Sequence, residues 1–321
     1  MTAFEPFEAF GDIDEIATGL ASPDVSVRRL AVIGIAETAR SEAVGYLASA
    51  VSDPAAEVRL QAVKALGDFD GLEAALALIQ GLLDSDQEVA AAAAESLSSI
   101  RDTVAVGALL PVVSHPSSLV RAAVLRSLKS LRADAALEPA VAALGDPAPE
   151  VRVQAVGVIG YLKSIDSLPS LIGAARDENA EVRLAAVKAL SFADDAGAAQ
   201  AAADALADTE WQVRAAAAET LGRIKRAEAA PPLAAALEDG FWQVRQKALQ
   251  SLGKLKARDM VSRIVGVLDD ELPSLRKEAA AALGEIADPG ARAGLAAKAL
   301  DSDPDVRKTV AWALGRLPDE V

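Results

Sequence analysis

One phrase returns at a fixed interval along almost the whole chain. Residues 210–214 read EWQVR and residues 241–245 read FWQVR, 31 positions later. Stepping by 31 in both directions from Val213 meets Val27, Val58, Val89, Val120, Val151, Val182 and Val244, then Leu275 and Val306. The next residue is Arg at nine of the ten steps: Arg28, Arg59, Arg121, Arg152, Arg183, Arg214, Arg245, Arg276 and Arg307, with Ala90 the one departure. A register held without an insertion from 27 to 317 describes one array of ten like repeats. The two domains of about 150 residues that such a length would otherwise imply have no linker between them. Repeats are numbered one to ten below, and positions are counted from the Val or Leu reference.

Eight positions past the reference stand Ile35, Leu66, Leu97, Leu128, Ile159, Leu190, Leu221, Leu252, Leu283 and Leu314, and four positions past it only Ala or Val. Positions 0, +4 and +8 thus form an apolar stripe at helical spacing, with a small residue in the middle where a neighbouring helix can come close. Gly at +9 (Gly67, Gly160, Gly222, Gly253, Gly284, Gly315) predicts that the helix ends there in a left-handed conformation. Asp stands five positions before the reference in eight repeats, as Asp53, Asp84, Asp146, Asp177, Asp208, Asp239, Asp270 and Asp301, and predicts a helix start. Ser22 and His115 fill the other two places. Upstream, GLEAALALIQGLL (71–83) and DMVSRIVGVL (259–268) predict a further apolar helix in each repeat. Every repeat therefore reads as a helix pair. Helices of roughly 10–13 residues are marginal alone in water, so the array folds by stacking its neighbours. Composition agrees: 52% of residues are hydrophobic but only 3% aromatic, with Ala, Leu and Val in excess, which suits packed helices and not strands.

The pattern D-x-x-x-x-V-R-x-x-A-x-x-A-L-G resembles the HEAT-like repeats of the phycobilisome-lyase type, over essentially the whole chain. The resemblance implies an all-α fold, an α-solenoid superhelix of about ten helix-pair repeats whose second helices line a concave face. The whole of 1–321 then reads as a single repeat domain, with 1–11 as an N-terminal capping segment and repeats in register from 12 to 317. In the capping segment Phe4, Phe7 and Phe10 form an apolar helical stripe suited to covering the first repeat. The resemblance also implies a ladder of polar contacts between successive repeats, carried over as Asp53 with Arg59, Asp146 with Arg152, and Asp208 with Arg214. Departures gather in repeats three and four, where Ala90 replaces Arg, His115 replaces Asp, and Ser98 and Lys129 replace Gly. A softer joint near residues 84–130 and neutral drift in a long stack are both open readings of these.

A net charge of −15 disfavours a general nucleic-acid binder, which needs clustered Lys and Arg. No apolar run reaches the ~20 residues that span a bilayer, and the acidic start MTAFEPFEAFGDIDEI lacks the basic region of a signal peptide; a cytoplasmic protein is expected. Without Cys there are no disulfides, thiolate metal sites or cysteine nucleophiles. Deoxyhypusine hydroxylase, of the same fold class, needs several His–Glu pairs for its irons, and this chain has one His. His115 stands beside Ser114 and Ser117, but in a turn place normally filled by Asp, which points to a helix start and not to a hydrolase. No phosphate loop is present. The expectation is a non-enzyme with no catalytic residue, metal or cofactor.

Binding residues are sought off the core stripe, at −2, +2, +3, +6 and +10. Trp211 and Trp242 share position −2, Trp312 stands at +6, and Tyr161 and Phe192 share +10. Large aromatics on such faces are frequent hot spots. Residues 211–263 hold ten Lys and Arg against five Asp and Glu, with Arg223, Lys225, Arg226, Lys247, Lys254, Lys256 and Arg258 supplying most of the excess. A Trp pair beside Arg223, Arg226, Lys247 and Lys254 suits a protein partner with an acidic segment. The function read from the sequence is a non-catalytic scaffold or adaptor that grips such a partner on its concave face and assists its assembly or cofactor loading. The alternative is a phycobilin-lyase-type chromophore lyase or isomerase subunit acting with a second chain. A nucleic-acid-binding HEAT-like repair protein is a remote third.

Overall fold

The helix pairs follow the 31-residue register. A computed structural model of the chain describes residues 12–318, and in these it contains twenty α-helices, short 3₁₀ turns and no strand. The chain forms two compact bodies, Met1–Leu162 and Lys163–Val321. In the first, the second helices of the repeats are Val25–Glu37, Ala56–Leu66, Gln87–Leu97, Ser118–Ser130 and Pro149–Leu162; in the second, Ala180–Ala189, Trp211–Ile224, Trp242–Leu255, Pro273–Ile286 and Pro304–Leu314. GLEAALALIQGLL becomes Leu72–Leu82, as long as the second helix of its repeat, while the other first helices are shorter than their partners: DMVSRIVGVL becomes Val261–Gly266 with a 3₁₀ turn on either side. The stripe of Phe4, Phe7 and Phe10 lies outside the described residues.

Positions 0, +4 and +8 are the core. Val58, Ala62 and Leu66 in repeat two, and Val244, Ala248 and Leu252 in repeat eight, are wholly buried. Val27 departs at 43% exposed, although Ala31 and Ile35 of the same stripe are buried. The Gly at +9 has a different task from the predicted one. Gly67 and Gly315 are right-handed, with φ of −64° and −69°, while Gly222, Gly253 and Gly284 lie inside their helices. A left-handed residue does occur, but three places later at +12, and it is never Gly: Ala39, Arg132, Lys163, Lys225, Lys256 and Ala287. What Gly supplies at +9 is room. A Cβ on Gly222 would run into the side chain of Ser251 and come to 3.0 Å from its Cα; one on Gly284 would meet the Trp312 ring and lie 3.0 Å from Ala313 Cα. Consecutive second helices meet there backbone to backbone. Buried hydroxyls fasten the same seam, since Ser251 Oγ donates to the Ala218 carbonyl at 2.7 Å and Thr220 Oγ1 to that of Val187 at 3.0 Å.

The polar ladder exists, with a pairing that corrects the expected one. The Arg guanidinium grips the Asp carboxylate of the following repeat, 25 residues on, and not that of its own. Arg28 Nε and Nη2 donate to the two oxygens of Asp53 at 2.7 and 2.9 Å. Arg59–Asp84, Arg121–Asp146, Arg183–Asp208, Arg214–Asp239 and Arg276–Asp301 repeat the same two-bond geometry. Within its own repeat the Arg Nη1 meets backbone: that of Arg59 donates to the Asp53 and Pro54 carbonyls, and that of Arg152 to those of Asp146 and Pro147. Each Asp also accepts the N–H two residues on, as Asp53 does from Ala55 at 2.8 Å. This is the predicted helix-start role, displaced by two residues, since the N-cap of the helix Ala56–Leu66 is Ala55. The guanidinium bonds hold these carboxyls below the usual Asp range; Asp301, bonded by Arg276 and by the Asp303 N–H, is lowered to about 2.

The offset of 25 explains why two departures fall together. Position 90 plus 25 is position 115, so Ala90 and His115 are the two ends of one rung, lost as a pair. His115 keeps the local half of the Asp role: its Nδ1 accepts from Ser117 N–H at 3.1 Å, and its carbonyl accepts from Arg121 at 2.8 Å. The first helix of repeat four is cut short beside it, with Val106–Leu109 passing into a 3₁₀ turn, Leu110–Ser114, around Pro111.

Three outcomes follow for stability. Restoring the rung with Ala90→Arg and His115→Asp together should give a protein more stable than the sum of the single changes by about 1–2 kcal/mol, measured as the coupling in a denaturant-unfolding cycle, with Ala90→Arg alone unfavourable because its charge has no carboxylate to meet. Gly222→Ala should cost about 1–3 kcal/mol by overpacking the seam. Gly173→Ala, in the helix Leu168–Ala174 with no atom within 4 Å of the new methyl, should gain roughly 0.5–1 kcal/mol in the same assay.

Candidate functional site

Trp211 and Trp242 are each the first residue of a second helix, Trp211–Ile224 and Trp242–Leu255. Position −2 therefore puts them on the edge of the second body where the turns run, beside the Asp of each rung. Trp211 is half-buried and stacks on Phe241 of the next repeat, ring centroids 5.7 Å apart and planes within 13°. Arg214 lies over the same Phe241 ring at 5.5 Å while it holds Asp239. One face of Trp211 is thus occupied from within the chain. Phe241 and Trp242 stay open, at 45% and 43% exposed. The rung of repeat eight is looser than the six two-bond rungs: Arg245 Nη2 reaches Asp270 only at 3.5 Å, and Arg245 Nε and Gln243 Oε1 are buried without a hydrogen-bond partner.

The cations do not join the tryptophans. Arg223 and Lys254 stand in the last turn of the helices that Trp211 and Trp242 open. At 1.5 Å per residue the two ends are about 18 Å apart, so the site expected to combine them is divided. The reason is the register itself: −2 and +10 are opposite ends of one helix. Some of the cations are also engaged. Arg223 and Lys247 converge on Glu219 at 2.5 and 3.0 Å, and these bonds, Lys247 foremost, pull the Glu219 carboxyl below its usual range. Arg226 meets Asp194 at 3.1 Å and Glu228 at 3.7 Å. Lys254, with Lys225, Lys256 and Arg258, is exposed and forms no ion pair among the described residues. Lys225 and Lys256 occupy the left-handed position just past their helices, where a cation also faces the negative end of the helix dipole.

The remaining aromatics stand singly. Tyr161, in the first body, is 42% exposed with the Arg132 guanidinium 5.3 Å over its ring. Phe192 belongs to the second body and is half-buried in the 3₁₀ turn Leu190–Phe192. Trp312 is 44% exposed, covers Gly284 and carries Arg316 at 5.7 Å. Sequence reasoning passed over Phe241 and Glu219. Phe241 was signalled by FW standing where the preceding repeat has EW, and Glu219 by its i,i+4 spacing to Arg223. Among the described residues no group of three or more His, Cys, Asp or Glu is placed to hold a metal ion, and no helix is long and apolar enough to cross a membrane.

The family described as HEAT repeats matches residues 13–98, 75–148, 137–211, 200–272 and 261–321, nearly the whole chain in overlapping sections. The chain belongs to the HEAT-repeat family. Solved structures agree on the HEAT-type α-solenoid fold. An engineered protein from a structural genomics consortium aligns at 19% identity and a TM-score of 0.57, over 95% of this chain and 98% of its own. Kap95p from a study of its binding to RanGDP aligns at 14% identity and TM-score 0.64, and Kap95 from a complex with Nup1 at 15% and 0.62, each over 95% of this chain. The chain spans about half the length of those Kap95 chains, 49% and 50%. No curated protein matches the sequence.

The stack between repeats seven and eight of this HEAT-repeat chain should be measurable. In a double-mutant cycle of Trp211→Ala and Phe241→Ala, unfolding should show a coupling of about 0.5–1.5 kcal/mol. Trp242→Ala, with its ring open to solvent, should leave the melting temperature close to that of the parent.

Proposed function

We propose that the protein is a non-catalytic scaffold that binds a protein partner and assists its assembly or its loading with a cofactor. The reading is supported by the family and by the neighbours: two of the similar solved structures concern Kap95 with the protein partners RanGDP and Nup1. The observation that carries the partner's chemistry is the ridge at the C-terminal ends of the helices Trp211–Ile224 and Trp242–Leu255. There Lys225, Lys254, Lys256 and Arg258 are exposed on a chain of net charge −15, without carboxylates of their own. Four cations on adjacent repeats favour a partner with an acidic segment, binding fast and in a salt-dependent way. Arg223, Arg226 and Lys247 flank the ridge, held in pairs that a stronger anion could exchange.

The test is capture of the partner from native lysate, followed by titration of the purified complex. The expected result is affinity that falls as salt rises and falls about tenfold or more on Lys254→Glu with Lys256→Glu, at an unchanged melting temperature. A partner whose affinity ignores both salt and charge reversal would sink the acidic-segment reading. Attachment of a bilin to a phycobiliprotein by this chain together with a second chain would replace the scaffold by the lyase-type subunit.

A further inference from the structure

The opposite ends of the same helices carry the opposite chemistry. The turn segments of repeats seven to ten read LADTEW (206–211), LEDGFW (237–242), LDDELP (268–273) and ALDSDP (299–304), with not one Lys or Arg among them. The rung Asp residues are neutralised by their guanidiniums, but Glu210 and Glu271 are exposed and form no ion pair among the described residues. Between them lies an apolar step: Phe241 and Trp242, with Leu272, at the position of Phe241 one repeat on, also 38% exposed. An exposed aromatic surface between unpaired carboxylates attracts cations twice, through the ring faces and through charge. One ring already does so within the chain, since Phe241 holds the Arg214 guanidinium 5.5 Å from its centroid. The positive ends of the helix dipoles, which would oppose a cationic ligand, are answered locally by carboxylates such as Asp239, which accepts the Phe241 N–H at 2.8 Å.

We propose that this edge, built from Phe241, Trp242 and Leu272 between Glu210 and Glu271, is a second docking surface that takes an extended, basic segment of a partner protein. The spacing fixes its pattern. Equivalent positions on neighbouring repeats are about 10 Å apart, the usual distance between packed helices, and an extended chain advances about 3.3 Å per residue. A segment crossing from Glu210 over the rings to Glu271 therefore presents a cation at every third residue. This surface is separate from the cation ridge, so its failure and that of the acidic-segment reading are read out independently.

The probe is a fluorescein-labelled Gly–Ser peptide with Arg at every third position, titrated by anisotropy against the full chain, beside a peptide of equal length with Glu in place of Arg. The Arg peptide should bind, and Trp242→Ala should weaken it about tenfold without moving the melting temperature. Glu210→Gln with Glu271→Gln should weaken it several-fold at low salt, and Lys254→Glu with Lys256→Glu should not weaken it at all. Equal affinity in parent, Trp242→Ala and the Gln variant would overturn the proposal, because the peptide would then be held by the net charge alone. Preference for the Glu peptide, lost on Trp242→Ala, would overturn it too. So would concentration-dependent self-association abolished by Trp242→Ala, since the occupant would then be a second copy of the chain.

Discussion

One guanidinium holding two turns at once is the contact on which this architecture depends. The ladder Arg residues hydrogen-bond the carbonyls of their own turn and, in six repeats with both Nε and Nη2, the carboxylate of the next, which in turn accepts an N–H at the start of its own helix. Side chains of these pairs are about 5–18% exposed, so the charges are largely withdrawn from water. Desolvation makes the net stability of such a pair small, while the loss of one partner is costly. The gain is in specificity. A neighbouring repeat that slid by one residue would strand a buried guanidinium and a carboxylate together, so the rung selects one register among the many that a smooth Ala and Leu surface would permit.

That surface sets the second constraint. With Ala or Val at +4 and Gly at +9, the second helices approach until backbone meets side-chain root, as between Gly222 and Ser251. Such a seam has little tolerance in volume but almost no directionality, and the hydroxyls of Thr220 and Ser251 add only two directed bonds to it. Packing and ladder are complementary: one supplies burial, the other alignment. Where both members of a rung are gone, at Ala90 and His115, the guanidinium clasp is missing and the directed bonds left between the two repeats include those that Asp70 Oδ1 accepts from the Arg101 and Asp102 N–H groups, at 2.6 and 3.2 Å; the neighbouring first helix is also the most broken among the described residues.

The fold was legible in the sequence because its determinants are local and periodic. A stripe of Val58, Ala62 and Leu66 is buried whatever lies beyond it, and ten copies of the stripe make the same statement. What could not be read was any property that depends on the geometry between repeats. The same Asp and Arg spacing is compatible with pairing inside a repeat, six residues apart, or across repeats, 25 apart, and only the angle between consecutive turns selects the second. The Gly at +9 carried two meanings of the same kind: left-handed backbone is a local cause, close approach a non-local one, and the non-local cause is the operative one. At the candidate site, exposure was read correctly for Trp242, Trp312 and Tyr161, each 42–44% exposed. Trp211 was misjudged because its cover, Phe241, comes from the neighbouring repeat.

The separation of aromatics from cations has a further physical meaning. A second helix has a positive start and a negative end, and this chain answers both: carboxylates gather at the starts, in the turns, while Arg223, Lys225, Lys254 and Lys256 gather at the ends. Repetition then multiplies a local preference into two edges of unlike charge, so that opposite chemistry on the two edges follows from capping the same helices many times over. Aromatic residues break that symmetry, because no helix end requires a Trp or a Phe in its first turn. Their presence at −2 and −3 in repeats seven and eight, and the Leu at −3 in repeat nine, is the part of the edge that capping leaves unaccounted for. Folding uses one face of Trp211 and leaves Phe241 and Trp242 nearly half open to water, so aromatic surface that no helix end requires stays on this edge.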